Sequence, residues 1–429
     1  MKLKHAISVT LILFIFLVLH EADRFLISPL TPQIMKEFRI SHTEMGAVFT
    51  LTIVVSALLF PIWGYLFDKF SRRFLITIAG LIWGFTTWLN ALAQNFIQLM
   101  ITRSSTGVDD ASTVGIYSLI SDYFRPEKRG KVIGLLNSSS ALGAILGTLL
   151  GLSIGIQMGW RYTFYITGSV GIIVALAVYF IVKDVPRGSS DPGLEGVLRE
   201  DIFRFNIETA KKLLKKKSMI LLCLQGFFGV FPWQVLTFWM IKYLIDERNF
   251  TTDQAMIVMV LLLVFLSIGY ILGGVIGDFV FRKTIRGRAI IVSIVVFASA
   301  LMIYITFSIP YKDVLGFTLM SSITAIVIPM AAANVGALIF DITEPEVRST
   351  ARSILRVLEN SGSALAPLVA GILADMYSLH FAILWISVST WLLCGIFSLF
   401  LVVVVRSDIE RLYELLRERG RKIKSGGVY

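Results

Sequence analysis

Apolar runs recur along the whole chain, and this repetition constrains the fold more than any other feature of the sequence. A helix of about 20 apolar residues crosses the hydrocarbon core of a bilayer. With 56% hydrophobic and 16% charged residues, the chain of 429 residues lacks the polar surface of a soluble protein. The pattern predicts an all-α polytopic membrane protein with twelve spans, near residues 6–27, 44–66, 74–94, 97–122, 130–155, 161–182, 219–244, 252–278, 289–308, 314–340, 348–375 and 381–405.

The loops between the spans carry a charge asymmetry that predicts their orientation. Loops rich in Lys and Arg remain in the cytoplasm. Alternate loops hold the basic residues, namely Lys69, Arg72, Arg73, Arg125, Lys128, Arg129, Lys131, Arg282, Lys283, Arg286 and Arg288. We therefore expect a cell-membrane protein with both termini in the cytoplasm. The net charge of +11 follows from these loops and does not indicate nucleic-acid binding.

One long connection divides the spans six and six. We expect an N-terminal bundle over 1–182, a cytoplasmic linker over 183–217, a C-terminal bundle over 218–405 and a cytoplasmic tail over 406–429. An internal repeat supports this division, because Pro126-Glu127 before the fifth span recurs as Pro345-Glu346 before the eleventh. Two halves related by parallel repeats are typical of transporter folds with a substrate site near the membrane midplane.

The fourth span carries three charges, on Arg103, Asp109 and Asp110. Each costs about 2.5–3.5 kcal/mol near the bilayer centre on insertion scales, so such residues face protein or water and indicate a functional site. Arg103 and Asp110 lie on one helical face but about 10 Å apart along the axis, so they cannot pair directly. Each therefore needs a partner from another helix.

The first span ends with Asp23-Arg24, at a depth similar to that of Arg103. We expect Asp23 and Arg103 to pair, although Asp23 and Arg24 also suit a span that simply ends at the outer interface. Asp110 lies deeper, and we expect no basic residue of the first span to be level with it. His20 is expected to be a hydrogen-bonded structural residue rather than a member of the Asp23 site.

The C-terminal half offers weaker signals. Arg356 and Glu359 in span eleven are spaced for a pair within one helix, which faces a cavity or simply neutralises its two charges. Several aromatic residues of span seven, near Gln225, suit the wall of an amphipathic cavity, and their members include Phe228, Phe231 and Trp233. In span five, glycines at 143, 147, 151 and 155 favour close helix packing.

The run GYLFDKFSRR at 64–73 resembles the loop signature of the major facilitator superfamily, with Ser71 where Gly is usual. A weaker echo, Gly277-Asp278, precedes the basic loop of the second half. The resemblance implies a cytoplasmic gate formed by charged pairs. The expected gate and motif residues are Gly64, Asp68, Lys69, Arg72, Arg73, Asp278, Arg129 and Arg348.

Within this superfamily the N-terminal half is most similar to spinster-like transporters. The matching residues are Asp23, Arg24, Arg103, Gly107, Asp110, Ala111, Ser112 and the run Val185-Pro186-Arg187-Gly188. The chain departs from the family at Asp110, where Glu is usual, and at Asp109, where Gly is usual. The resemblance implies proton-coupled movement of an amphipathic substrate, such as a lysophospholipid or sphingoid phosphate, by alternating access.

The resemblance also assigns proton coupling and substrate binding to particular residues of this chain. We expect Asp110 to carry the coupled proton, with Asp109 and Asp23 as further candidates. The expected substrate-binding residues are Arg24, Arg103, Gln225, Phe228, Phe231, Trp233, Arg356 and Glu359. The expected partners are the substrate, protons and membrane lipids, and the expected state is a monomer.

Two other functions fit the same sequence. One is transport of small organic anions or drugs, with Arg24 or Arg103 binding the anionic group. The other is a non-transporting sensor or scaffold, which has no need for several buried ionisable residues. The sequence shows no metal-ligand spacing, phosphate-binding glycine loop or nucleophile–base pair, so we expect no metal, no cofactor and no enzymatic activity.

Overall fold

The computed structural model describes residues 3–124, 132, 135–185, 215–343 and 348–424. The described residues are almost all helical and include no strand. Among them, eleven helical segments are long and apolar enough to cross a membrane. Helices satisfy every backbone polar group within the segment, as a bilayer requires. The predicted all-α membrane architecture is confirmed.

The helices of the first six predicted spans are α1 Leu3–Phe38, α2 His42–Lys69, α3 Arg72–Leu92, α4 Phe96–Ser105, α5 Gly107–Asp110, α6 Val114–Tyr123, α7 Ser139–Met158 and α8 Trp160–Ile181. Helix α1 continues beyond its predicted end at residue 27, although Pro29 and Pro32 lie inside it. The Thr31 hydroxyl donates to the Ile27 carbonyl at 2.9 Å, next to the bonds that the prolines cannot make. Such side-chain donors let membrane helices tolerate proline.

The remaining helices are α9 Lys217–Gly229, α10 Phe231–Lys242, α11 Thr252–Lys283, α12 Gly287–Ser308, α13 Val314–Val327, α14 Met330–Asp341, α15 Arg348–Met376 and α16 Leu379–Lys424. Breaks fall beside Pro232 and Pro329, because proline lacks the amide hydrogen of a helix interior. Helix α16 continues without a break into the predicted charged tail, which starts at residue 406. The described part of the tail is therefore a direct helical extension of the last span.

The fourth predicted span is not one helix. It consists of α4, α5, a 3₁₀ turn at Ala111–Thr113 and α6. The break begins at Thr106, whose amide and hydroxyl both donate to the Arg103 carbonyl, at 3.1 and 2.7 Å. Local bonds of this kind compete with the helical ladder. The prediction of a continuous helix over 97–122 is therefore wrong.

Grouped by their contacts, the residues form two compact units. The first comprises Met1–Glu200, Val235–Val260 and Ala364–Ala382, and the second comprises Asp201–Gln234, Leu261–Ser363 and Ile383–Tyr429. The boundaries fall inside α10, α11, α15 and α16. The predicted division into 1–182, 183–217, 218–405 and 406–429 therefore stays a prediction.

In the first unit α1 packs along α7, and α3 packs along α8. Four glycines of span five face α1, at positions 143, 147, 151 and 155. A Cβ atom at Gly147 would overlap the backbone of Ala22, so the helices approach this closely only because glycine lacks a side chain. The packing interpretation of this stripe is confirmed, and the close contact fixes the segment of α1 that carries the buried charges.

Candidate functional site

Asp23 is buried within α1, with 3% of its surface exposed. The Thr87 hydroxyl of α3 donates to its Oδ2 at 3.2 Å, and the Thr167 hydroxyl of α8 donates to its Oδ1 at 3.1 Å. Arg103 Nη1 lies 3.6 Å from Asp23 Oδ2. Two hydroxyl donors and one guanidinium therefore surround the carboxylate, which balances its charge away from water.

Arg103 of α4 is equally buried, with 4% exposure. Besides the ion pair, its Nη2 donates to the Asp23 carbonyl at 3.5 Å, and its guanidinium lies 5.9 Å from the centre of the Phe164 ring. The structure thus brings the predicted Asp23–Arg103 pair together. The alternative that Asp23 merely ends the first span does not fit a residue inside a helix that continues to Phe38.

A second cluster lies one helical turn away, at His20. His20 Nε2 is 2.7 Å from Asp109 Oδ2 and 3.7 Å from Asp110 Oδ1. His20 and Asp109 are both buried, whereas Asp110 is partly exposed. The expectation that no basic residue of the first span is level with Asp110 is therefore wrong. His20 forms a hydrogen bond, as expected, but its partner is an acid rather than a structural backbone group.

Local structure explains this meeting. His20 and Asp23 are three residues apart on α1, so they share one face of the helix. The His20 ring stacks on Phe16 and meets Trp83 edge-on, with centroids 6.1 and 5.4 Å away. Opposite, the Trp63 indole donates to the Val108 carbonyl at 2.5 Å, which holds the short helix α5 against α2. The break before α5 then directs Asp109 toward His20.

His20, Asp109 and Asp110 form a compact set of ligand atoms, all within 4.8 Å of one another. The Oδ1 atom of Asp109 and the Nδ1 atom of His20 are buried and have no hydrogen-bond partner among the described residues. The set can hold a proton and has the composition of a cation site. His20 and Asp109 are 89 positions apart, so no spacing in the sequence indicates that they meet, and the cluster was not predicted. The predicted absence of a bound metal stays a prediction.

Arg24 follows Asp23 but does not join it. Its Nη1 lies 3.9 Å from Glu21 Oε2, and its side chain is about half exposed. Successive residues point about 100° apart on a helix, so α1 presents Asp23 to the protein interior and Arg24 to a different side. The Glu21 side chain is itself 19% exposed.

The second unit has its own charged cluster on α15. Arg356 Nη1 lies 3.6 Å from Glu359 Oε2, which forms the predicted pair within one helix. Arg352 Nη1 lies 3.7 Å from Glu359 Oε1, a contact that the sequence analysis missed. The spacing of seven places Arg352 and Glu359 on one helical face, about 10 Å apart along the axis. The two long side chains span that distance, so the assumption that such a spacing excludes a pair fails here.

Three aromatic residues of span seven, Phe228, Phe231 and Trp233, lie in the same unit. Phe228 stacks on Phe231 and Phe397, with ring centroids 6.5 and 5.8 Å apart. Trp233 stacks on Tyr270 of α11 at 6.3 Å. Gln225 is buried and donates to the Cys394 sulfur at 3.4 Å, so its amide contributes to helix packing. Phe231 is also buried, which leaves Phe228 and Trp233 as the partly exposed members of the set.

The predicted gate residues are only partly described. Arg72 donates to the Val185 carbonyl at 2.8 Å, and the Arg73 amide donates to Asp184 at 2.9 Å. In the second unit, Asp278 pairs with Arg288 at 2.8 Å, and Arg288 also pairs with Asp341. Gly64, Asp68 and Lys69 fall in α2 and Arg348 begins α15, but the surroundings of Gly64 and the side chains of the other three lie outside the described part, as does all of Arg129.

Comparison with known proteins adds the family context. The family model described as Major Facilitator Superfamily matches residues 13–331 of this chain. The hexuronate transporter of Bacillus subtilis is 24% identical over 387 residues, which cover 87% of this chain and 89% of that protein. Protein spinster homolog 1 of Xenopus tropicalis is 24% identical over 390 residues, covering 87% of this chain and 73% of that protein. A probable sulfoacetate transporter, SauU of Cupriavidus necator, is 25% identical over 291 residues, covering 66% and 67%.

Solved structures share the fold. A bacterial homolog of the human lysosomal transporter Spinster, in an inward-facing and unoccupied conformation, superposes with a TM-score of 0.82 at 20% identity. The match covers 96% of this chain and 99% of that chain. The nucleoside transporter NupG superposes with a TM-score of 0.69 at 15% identity, covering 94% and 98%.

Proposed function

We propose, from the premise that this chain belongs to the major facilitator superfamily and is related to its spinster-like transporters, that it is a proton-coupled secondary transporter of an amphipathic, lipid-like substrate. It is not an enzyme, as its relatives are transporters. One observation carries the proton coupling, namely the buried cluster of His20, Asp109 and Asp110 beside the Asp23–Arg103 pair.

The two clusters suit different tasks. Asp23 has a guanidinium and two hydroxyl donors, which balance the charge of its carboxylate. The other cluster sets two carboxyl groups against one imidazole, with their ligand atoms within 4.8 Å of one another. Asp110 is its partly exposed member and therefore the residue that exchanges protons with water. Asp109 and Asp23 are the next candidates for the coupled proton.

The test uses Asp110→Asn in proteoliposomes, with labelled glucuronate and labelled lysophosphatidylglycerol as probes and an imposed pH gradient. Exchange of labelled substrate should survive, while accumulation driven by the gradient disappears. Asp253→Asn, at the exposed start of α11, is the matched control and should accumulate substrate normally. Accumulation by Asp110→Asn would show that the proton travels elsewhere, with Asp109, Asp23 or Glu359 next. Absence of any flux in the wild-type protein would favour a sensor or scaffold.

The aromatic set of the second unit supports the lipid-like substrate. Phe228 and Trp233 are partly exposed and stack on Phe397 and Tyr270, which gives an apolar surface suited to an acyl chain. The resemblance of the N-terminal half to spinster-like transporters implies the same kind of substrate. If it is correct, Phe228→Ala combined with Phe231→Ala should weaken binding of lysophosphatidylglycerol more than binding of glucuronate. Equal losses for both ligands would remove the support for a lipid.

Transport of a small organic anion is the second candidate. The relatives from Bacillus subtilis and Cupriavidus necator are named for hexuronate and sulfoacetate, both organic anions. The cationic side chains on α15 also favour an anionic group in the substrate. Uptake of glucuronate or sulfoacetate in preference to lysophosphatidylglycerol would select this candidate.

The remaining parts of the proposal concern placement. The basic loops favour a cell-membrane protein with cytoplasmic termini. The two halves expected from the internal repeat suit alternating access, and we propose that the protein works as a monomer. In this view the contacts of Arg72 and Arg73 with residues 184–185, and of Arg288 with Asp278, belong to the cytoplasmic gate. Accessibility of single cysteines to an impermeant reagent in whole cells tests the orientation.

A further inference from the structure

We propose that Arg352 and Arg356 of α15 bind the anionic group of the transported molecule, whether a carboxylate, a sulfonate or a phosphate. This inference rests on the proposed function, because it names the chemistry that the transporter recognises. It differs from the assignment of the anion to Arg24 or Arg103 that the sequence favours. The reason lies in how the charges of each cluster are balanced.

The cluster on α15 has an excess of positive charge. Glu359 is the sole carboxylate that pairs with Arg352 and Arg356 among the described residues, so two cations share one anion. Glu359 itself is mostly buried, with 14% of its side chain exposed, and Arg356 lies inside the candidate span Ile354–Met376. An uncompensated cation in such a segment is costly unless it meets water or an anion.

Other arginines of the protein are balanced differently. Arg103 faces Asp23, and Arg288 faces the two carboxylates of Asp278 and Asp341. Arg24 has Glu21. In contrast to these three arginines, the α15 cluster places two guanidinium groups with one carboxylate among the described residues. An anionic ligand would restore its neutrality.

The geometry of the pairs leaves the guanidinium groups able to bind a ligand. Their distances to Glu359 are 3.6 and 3.7 Å, whereas Arg288 lies 2.8 Å from Asp278. Pairs at the longer distance are ionic contacts without short hydrogen bonds. The side chains of Arg352 and Arg356 are also 38% and 63% exposed. Two such guanidinium groups can hold a carboxylate, sulfonate or phosphate through several charge-assisted hydrogen bonds.

The surroundings fix Glu359 and supply a place for the organic part of a ligand. Gly226 of α9 lies against the Glu359 side chain, where a larger residue would displace it. Gly226 is followed in α9 by Phe227 and Phe228, and Phe228 stacks on Phe231 and Phe397. The anion-binding arginines thus lie beside an aromatic surface, as recognition of an anion with an organic body requires.

Arg103 is a poor alternative for the substrate anion. Its guanidinium is buried and already faces the Asp23 carboxylate, so a second anion there would meet repulsion from Asp23. Arg24 is more exposed, but Glu21 balances its charge one to one. The cluster of His20, Asp109 and Asp110 therefore belongs to the first unit, and the arginines proposed to bind the anion belong to the second.

The experiment measures binding of glucuronate, sulfoacetate and lysophosphatidylglycerol to purified protein in detergent by calorimetry, without a proton gradient. Arg352→Gln and Arg356→Gln should each weaken binding of the recognised anion about tenfold, as loss of one charge-assisted contact predicts. Glu359→Gln should strengthen it severalfold, because removing the competing carboxylate frees both guanidinium groups. Arg406→Gln, which removes an exposed arginine paired with Glu410, is the matched control and should bind as the wild type does.

The opposite response of Glu359→Gln separates ligand binding from a structural role. If the cluster only stabilises α15, all three variants lower the melting temperature and none strengthens binding. That result would overturn the inference. Unchanged affinity in both arginine variants would also overturn it, and so would failure of the wild type to bind any of the three probes. The binding experiment uses no proton gradient, so its result does not depend on which residue carries the coupled proton. The expected order of affinities can therefore hold even if Asp110→Asn disproves the proposed proton site.

Discussion

His20 and Asp109 lie 89 positions apart in the sequence and 2.7 Å apart in the structure, with Nε2 of the imidazole facing Oδ2 of the carboxylate. Both side chains are buried, and each retains one polar atom with no hydrogen-bond partner in the described part of the chain. The spinster-like resemblance places a glycine at the position of Asp109. This chain therefore has an additional buried acid and a base that meets it.

The first prediction concerns the free energy of unfolding of this pair. His20→Ala removes the partner of Asp109 and should destabilise the protein by about 3 kcal/mol, because it leaves an uncompensated acid. Adding Asp109→Ala should restore part of that loss. The measurement is unfolding of detergent-solubilised protein by a denaturing detergent, followed by helicity. Losses that simply add would contradict a direct interaction between the two side chains.

The second prediction concerns Asp23 and Arg103, 3.6 Å apart and both buried. In the corresponding cycle of alanine variants, the coupling energy should be about 1–3 kcal/mol, in the range for contacting residues. Each single variant should also abolish transport.

Glu37 and Arg161 provide the matched control for that cycle. They also form an ion pair, but their side chains are 43% and 33% exposed. The coupling there should fall to about 0.2–1 kcal/mol, because solvent screens exposed pairs. Similar coupling in both cycles would mean that burial does not strengthen the Asp23–Arg103 contact.

The third prediction concerns packing of α1 on α7. Gly147→Ala places a Cβ atom against the backbone of Ala22, so it should separate the helices and lower the melting temperature by several degrees. A Cβ atom at Gly336 of α14 would meet no neighbouring atom within 4 Å, which makes Gly336→Ala the control. That change should be neutral or stabilising by up to about 1 kcal/mol. Equal changes in stability would show that the intrinsic helix propensities of glycine and alanine, rather than the close approach of two helices, determine the effect at both sites.

The fourth prediction concerns Asp375, which lies near the end of α15 and caps the start of α2. Its carboxylate accepts from the amides of His42 and Thr43 at 2.8 and 2.7 Å, and lies 2.8 Å from His42 Nδ1. Asp375→Ala should remove a cap worth about 1 kcal/mol and speed hydrogen exchange in the first turn of α2 severalfold.

Asp313 offers a local cap for comparison, because it accepts from the Gly316 amide of its own helix, α13, at 2.8 Å. Asp313→Ala should speed exchange only at the start of α13. Unchanged exchange in α2 of the Asp375 variant would mean that Ser41, which also caps this helix, holds its first turn alone.

Much of the architecture follows from local sequence. Runs of apolar residues predict the spans because a bilayer accepts only segments that satisfy their own backbone. The pair of Arg356 with Glu359 is equally local, since three residues along one helix bring the side chains together. The glycine stripe at 143, 147, 151 and 155 also predicts close packing, although not that α1 is the partner.

The partners of the buried charges were decided by the tertiary structure. Depth along a helix can be estimated from residue number, and on that basis the sequence predicts that Asp23 and Arg103 meet. The direction in which a side chain points around the helix axis is harder to predict. Each residue turns it by about 100°, and a break in the helix changes the direction of every residue that follows. The break at Thr106 separates α4 from α5 and turns Asp109 toward His20. A continuous helix over the same residues would have placed these side chains elsewhere, so only the packed structure determines this cluster.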